Sequence, residues 1–432
     1  MEDLTAVRRW TALAALSLGG FGIGLTEFVA MGLLPDMSRD LLPQLYAESS
    51  ARAVAHGGWI ITAYALGVVV GAPTIAALTA RLPRKTLVVA LLGLFTLGTV
   101  ASAVAPGFWP VLVARFVAAL PHGAYFGAAG LVAASIIGPG SQAKGFAAVL
   151  GGLTAANVVG VPLITRLGQA AGWRVAYLAI AAMFALTLAF VALTVPHAPA
   201  DPAGSPRAEL RAFRKPQVWL VAVTAAVGFG GFFAIDSYIA PVTTHVAGLS
   251  EGAVPWVLVA VGLGMTVGNA FGGWASDRNL RRSLLSGFVV FIASMAVFAV
   301  LAHNRYTLFA GAFVVGAASL FLGPAMQSRL IGVAPGAQLM GAAVSQASMN
   351  IANSLGAALG GAVIAAGWGY VAPSWVGVGL GAAGFALAGA SFALEARKAR
   401  RLPVADVGRG PERAHDQTPV GAAAHRELDS RA

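Results

Sequence analysis

The chain has 432 residues, 58% of them hydrophobic and only 10% charged, with no cysteine and a formal net charge of +11. Soluble domains are nearer a quarter charged, so most of this chain is excluded from water, and without cysteine neither disulfides nor thiolate metal sites can form. The basic excess argues against a nucleic-acid partner, because the lysines and arginines sit in short loops between apolar runs, as the positive-inside pattern of membrane proteins requires.

A spanning helix takes about 20 mostly apolar residues. Twelve stretches qualify: 10–34, 57–80, 86–105, 108–136, 144–166, 173–195, 217–243, 254–275, 283–302, 306–331, 342–366 and 373–394. Arg8 and Arg9 ahead of the first resemble the start of a secretory signal. A signal's apolar core is short and ends at a small-residue cleavage site; the run from Trp10 to Leu34 is long enough to span and many more spans follow. The long connections are Pro35–His56 and the Pro- and Arg-rich Pro196–Pro216. From Arg397 the chain is polar, with Pro403, Pro411 and Pro419 and no periodic apolar face, which predicts a disordered tail whose charges hold the last helix end at the lipid surface.

The second span is made twice. Trp59, Gly67, Gly71, Arg81, Arg84 and Lys85 recur 197 positions later as Trp256, Gly264, Gly268, Arg278, Arg281 and Arg282. Ala156-Asn157-x-x-Gly160 recurs as Ala352-Asn353-x-x-Gly356. A half-length repeat in an apolar chain predicts two similar bundles facing each other, a common transporter plan. The fold class is therefore an all-α membrane protein of twelve transmembrane helices in two pseudo-symmetric six-helix bundles. The boundaries fall at 1–195 for the first bundle, 196–216 for a cytoplasmic linker, 217–394 for the second bundle and 395–432 for the tail. With the N-terminus inside, 22 lysines and arginines lie on the cytoplasmic side and five (Arg39, Arg52, Arg166, Arg174, Arg305) outside, so both termini are expected in the cytoplasm.

Charge within the bilayer is costly and marks function by default. Glu27 in the first span and Arg115 in the fourth each lie about seven residues from the outer end, roughly 10 Å deep. At matching depth they can form a structural pair, or Glu27 can be a proton-coupling acid. Burial raises a carboxyl pKa and a neighbouring arginine lowers it, so movement of Arg115 or of a substrate would tie proton uptake to transport. Asp236, in the seventh span, either joins them or reaches the outer interface. His122 lies in Pro121-His122-Gly123, where Pro and Gly can open the helix toward a cavity; it either titrates or bonds a neighbouring helix. Asn157, Gln346, Asn350 and Asn353 either bond helix to helix or line a substrate cavity, with Tyr125, Phe233 and Tyr238 as candidate apolar walls or plain packing. No two histidines stand at metal-ligand spacing, no P-loop is present, and Gly379-x-Gly381-x-x-Gly384 has no strand before it, so it is not a dinucleotide fingerprint. The Gly-x-x-x-Gly spacings, among them Gly67/Gly71 and Gly264/Gly268, are close-packing devices.

Gly273-x-x-x-Asp277-Arg278-x-x-Arg281-Arg282 resembles the signature loop of the major facilitator superfamily; its first-half counterpart, Arg81-x-Pro83-Arg84-Lys85, is degenerate. Gly24-Leu25-Thr26-Glu27-Phe28-Val29 with Gly32-Leu33-Leu34-Pro35 resembles the first helix of the family's twelve-span drug:proton antiporter branch, in particular the arabinose-efflux-like and chloramphenicol-resistance-like permeases. Arg115 with Pro121-His122-Gly123 fits the same group. Asn157-x-x-Gly160-x-Pro162 is similar to the antiporter motif without its usual Gly-Pro pair. The resemblance covers residues 10 to about 395. It implies alternating access and proton-coupled export of a small organic solute, with the fourth-helix arginine and a first-helix acid as coupling residues. Asp277 stands for the conformational latch that the first-half loop lacks.

The expectation is a monomeric inner-membrane exporter driven by the proton gradient, with no cofactor. Its central cavity would be lined by spans 1, 4, 5, 7, 10 and 11, its substrate being a sugar, a drug or a nucleoside. A facilitator without proton coupling and a solute sensor that moves nothing are the alternatives; no acid–base–nucleophile constellation suggests an enzyme.

Overall fold

Helices account for nearly all of the described residues because a backbone in hydrocarbon has to satisfy its own hydrogen bonds. The computed structural model describes residues 5–79, 82–138, 142–196, 216–333 and 338–401. Residues 197–215 of the expected linker (196–216) and the tail beyond 401 lie outside the described residues.

The first half holds α1 (Ala6–Leu41), α2 (Trp59–Thr79), α3 (Arg84–Val104), α4 (Phe108–Ile137), α5 (Gln142–Ala155, continued through Ala156–Gly160 to Val161–Ala171) and α6 (Trp173–Thr194). The second holds α7 (Pro216–Asp236), α8 and α9 within Val254–Leu301, α10 (Arg305–Val333), α11 (Gln338–Ala365) and α12 (Ala372–Arg401). The segment Val254–Leu301 runs 48 residues with one non-helical residue, Asn279 (φ −157°, ψ 93°). At 1.5 Å per residue it would be about 72 Å long, more than twice the hydrocarbon thickness, so it is two crossings folded at Asn279. Eleven long apolar helices therefore make twelve crossings among the described residues.

Two expectations shift. α1 continues past Pro35 to Leu41, and the supposed loop that follows carries two short helices, Pro43–Glu48 and Ser50–Gly57. A proline inside a helix removes one backbone bond without forbidding continuation.

The repeat is a repeat of packing. A Cβ at Gly67 or Gly71 of α2 would run into the carbonyls of Phe116 or Leu120 on α4, and one at Gly264 or Gly268 of α8 into those of Phe313 or Ala317 on α10. Each pair of helices approaches to backbone contact because its glycines lack side chains. Trp59 and Trp256, at the starts of α2 and α8, are 50% and 62% exposed, in the manner of interfacial anchors. Large apolar side chains such as Leu97, Leu193, Trp219 and Phe271 cover the outer surface, where lipid takes the place of water.

The halves meet on the face opposite the N-terminus, called here the far face. Arg39 near the end of α1 pairs with Glu251 ahead of α8 at 3.4 Å. Gln169 Nε2 donates to the Glu251 carbonyl at 2.8 Å. Tyr238, just past α7, packs so tightly on Gly58 and Gly361 that a Cβ at either would meet its hydroxyl. Deeper down, Gly262 of α8 lies against the backbone of Asn157 on α5. Residues 1–392 pack as one compact unit; from Ala393 a separate unit begins, in which α12 runs on to Arg401.

Candidate functional site

Three helix irregularities position the site. α4 breaks between Ala119 and His122, at Pro121, as the Pro-His-Gly triplet implied. α5 carries a π turn over Ala156–Gly160, which holds Asn157 and ends two residues before Pro162; such widened turns recur at functional sites. α7 is interrupted at Phe229 and ends at Asp236.

At the centre lies Arg115, fully buried. Its Nη1 donates to Thr26 Oγ1 at 2.8 Å and its Nη2 to the Thr26 carbonyl at 2.7 Å. Its guanidinium carbon stands 4.2 Å from the Tyr64 ring centroid and 5.2 Å from that of Tyr177, close enough for cation–π attraction. The fork thus closes on α1 one residue from Glu27, and α2 and α6 each supply a ring. The Tyr64 hydroxyl and His122 Nδ1 share a hydrogen bond of 3.3 Å, so a polar chain runs from His122 through Tyr64 and Arg115 to Thr26.

Glu27 is 7% exposed. Its hydrogen-bond donor comes from the other half: Asn353 Nδ2 of α11 reaches Glu27 Oε1 at 3.5 Å. Arg115 and Asp236 both act on it electrostatically. Asp236 is 3% exposed, its Oδ1 has no partner, and it stands within electrostatic reach of Glu27. Asn350 and Asn353 are buried one helical turn apart on α11, and the side-chain oxygen of each is also without a partner. Asn350 Nδ2 is used within the helix, on the Gln346 carbonyl at 3.1 Å; Gln346 is half-buried.

Glu27, Arg115, Asp236 and Asn353 therefore form one cluster at the seam of the halves, with His122 linked to it through Tyr64. Other candidates lie apart. The Tyr125 hydroxyl donates to the Leu16 carbonyl at 2.8 Å and that of Tyr238 to the Ala357 carbonyl at 2.7 Å; both side chains are wholly buried and serve as helix-to-helix ties. Phe233 packs edge-on against Phe232, ring centroids 5.2 Å apart. Asn157 sits where α5 meets α8. Thr26, Tyr64 and Tyr177 were not singled out from sequence. The adjacency of Thr26 to Glu27 was the available signal for the first; nothing in sequence distinguishes the two tyrosines from packing aromatics.

In the signature loop, Asp277, Arg278 and Arg281 are exposed, Gly273 half-buried. Arg278 lies over the Trp274 ring at 3.7 Å and Arg281 over Phe392 at 5.6 Å. Arg84 and Lys85 open α3. Arg81 lies outside the described residues.

A family description, "Major Facilitator Superfamily", matches residues 16–255 and 237–415. The chain is 36% identical over 358 residues to the "Inner membrane transport protein YdhP" of Escherichia coli (strain K12), across 83% of this chain and 90% of that one. It is 33% identical over 366 residues to the "Chloramphenicol resistance protein" of Streptomyces lividans, across 83% and 89%. Its fold is similar to that of a bacterial homolog to the human lysosomal transporter Spinster in an inward-facing, unoccupied conformation. That match has a TM-score of 0.72 at 17% identity, and covers 91% of this chain and 99% of the other.

Proposed function

The chain belongs to the Major Facilitator Superfamily and is a multi-pass membrane transport protein, and from that premise we propose that it exports a small organic solute across the cytoplasmic membrane in exchange for protons. The observation that carries this reading is the bond from Asn353 to Glu27. A buried acid whose donor belongs to the opposite half loses that donor when the halves tilt. Its proton affinity then depends on which face is open, as coupling requires.

In this reading the N-terminal face is cytoplasmic, and the contacts at Arg39, Gln169, Glu251 and Tyr238 close the periplasmic side. Solute enters from the cytoplasm toward the seam; tilting of the bundles opens the far face, and a proton from outside resets Glu27. Arg115, tied to Thr26, stays with the first half throughout and supplies fixed positive charge beside the acid. Export accords with the Streptomyces lividans relative, which is named for chloramphenicol resistance; pumping a toxic solute outward is one way a transporter confers resistance.

The test is solute flux in proteoliposomes with and without an imposed pH gradient. Wild-type flux should follow the gradient and Glu27→Gln flux should not. Full gradient-driven flux in Glu27→Gln overturns the reading, and flux in the wild type that ignores the gradient favours a facilitator.

A further inference from the structure

The charges at the seam do not balance. Glu27 and Asp236 are two carboxyls; Arg115 is the one buried base that acts on Glu27. α11, packed on α7, contributes Gln346, Asn350 and Asn353 and no charged residue between Gln338 and Ala365. α10 carries Arg305 and Arg329 near its two ends, and Arg329 is bonded to Ser391 and stacked on Phe392. α2 contributes Tyr64, and α4 contributes His122, which bonds Tyr64 and neither carboxyl. With both acids ionised, the seam holds one uncompensated negative charge, and Asp236 is where it sits. A charge in that position is costly unless a cation joins it.

The unfilled hydrogen-bond positions have the same sense. Asp236 Oδ1, Asn350 Oδ1 and Asn353 Oδ1 are all buried and all without a partner. Flipping either amide would orphan other atoms and leave the carboxyl unchanged. Arg115 Nε is an orphan donor, on a guanidinium already held by Thr26. Three acceptors on two packed helices of the second half, one of them an oxygen of the excess carboxyl itself, are complementary to a positively charged donor.

We propose that the seam is an organic-cation site, in which Asp236, aided by the amide oxygens of Asn350 and Asn353, receives the ammonium or amidinium group of the transported solute. This rests on the exporter reading above and names its substrate class. Solute and proton then compete for one negative charge: a proton leaves the carboxyl as the cation arrives and returns when the cation departs. The exchange is one for one for a monocation, with no group left buried and unbalanced in either state.

The experiment uses the purified full chain with ethidium and putrescine as cationic, donor-bearing probes and chloramphenicol and arabinose as neutral ones. Binding is followed by thermal shift, and for ethidium by fluorescence, from mildly alkaline to mildly acidic pH. The cations should bind, progressively more weakly as the pH falls, and the neutral probes should not. Asp236→Asn should weaken cation binding about 30-fold or more and flatten its pH dependence. Failure of both cations to bind, preference for the neutral solutes, or cation binding that neither acid nor Asp236→Asn alters overturns the proposal. If the variant does not fold, the wild-type selectivity and pH profile decide. Cation binding that weakens with acid and with Asp236→Asn, together with full gradient-driven flux in Glu27→Gln, would leave this site standing and sink the coupling through Glu27; gradient-driven flux of neutral solutes alone, lost in Glu27→Gln, would do the reverse.

Discussion

Arg115 gives both terminal nitrogens to Thr26, at 2.8 and 2.7 Å, and not to the carboxylate of Glu27 one residue further along α1. The arginine therefore supports the acid by its field and leaves it free to change partners, whereas a direct ion pair would hold it in one state.

That arrangement makes the guanidinium fork indispensable. Arg115→Ala leaves the Thr26 oxygens and two tyrosine rings facing a void and removes the charge that acts on Glu27, a loss of about 3–6 kcal/mol for two hydrogen bonds from a charged donor. Arg115→Lys keeps the charge but not the two-pronged geometry and should fall between. Thr26→Val removes one charge-assisted bond, costing about 1.5–3 kcal/mol, and leaves the backbone carbonyl in place. Melting temperatures of the detergent-solubilised variants check the order; an unchanged Arg115→Ala protein would refute the account.

Asn353 offers a different handle, since it touches Glu27 from the other half. Asn353→Ala should lower gradient-driven flux roughly tenfold, the worth of a hydrogen bond to a charged group, while exchange without a gradient continues. Asn350→Ala, one turn away and bonded only within α11, should not affect the coupling to the same degree. Equal losses of gradient dependence in the two variants would show that the bond to Glu27 is not what couples them.

The architecture was legible because the bilayer dictates it: backbone satisfaction forces helices, the hydrocarbon thickness sets their length, and the glycine offsets mark equivalent helix contacts. Glu27, Arg115, Asp236 and His122 stood out because charge and imidazole are rare in apolar runs. Thr26, Tyr64 and Tyr177 were not legible, because an uncharged residue in a span gains its role only from what other helices bring beside it. Tyr125 and Tyr238 show the converse. A buried hydroxyl suits a cavity and a backbone carbonyl equally well, and in both cases a carbonyl on a neighbouring helix took it. The length of α1 was missed because Pro35 looks like a stop signal, yet a single lost backbone bond is offset by packing on all sides.

Asn279 was also overlooked, standing between the signature residues Asp277 and Arg281. It is the extended residue that separates α8 from α9, and its Oδ1 accepts from the Arg282 backbone N–H at 2.9 Å, so it caps α9. Asn279→Ala should cost about 1 kcal/mol, and Asn279→Asp or Asn279→Ser, which keep a capping oxygen, much less. Thermal unfolding and protease sensitivity at this turn measure the difference.

The ion pair between Arg39 and Glu251 closes the far face, yet its side chains are 53% and 59% exposed. An exposed pair contributes only about 0–1 kcal/mol, so Arg39→Ala or Glu251→Ala should change stability little and transport modestly. Its proximity is the useful property. The chain contains no cysteine, so an Arg39→Cys, Glu251→Cys double variant has one thiol on each half and no others. A short cleavable thiol cross-linker should join them, hold the far face shut and abolish flux, and cleavage should restore it, with neither single variant responding. Full flux in the cross-linked protein would mean that transport does not require this face to open, and alternating access about this seam would have to be abandoned.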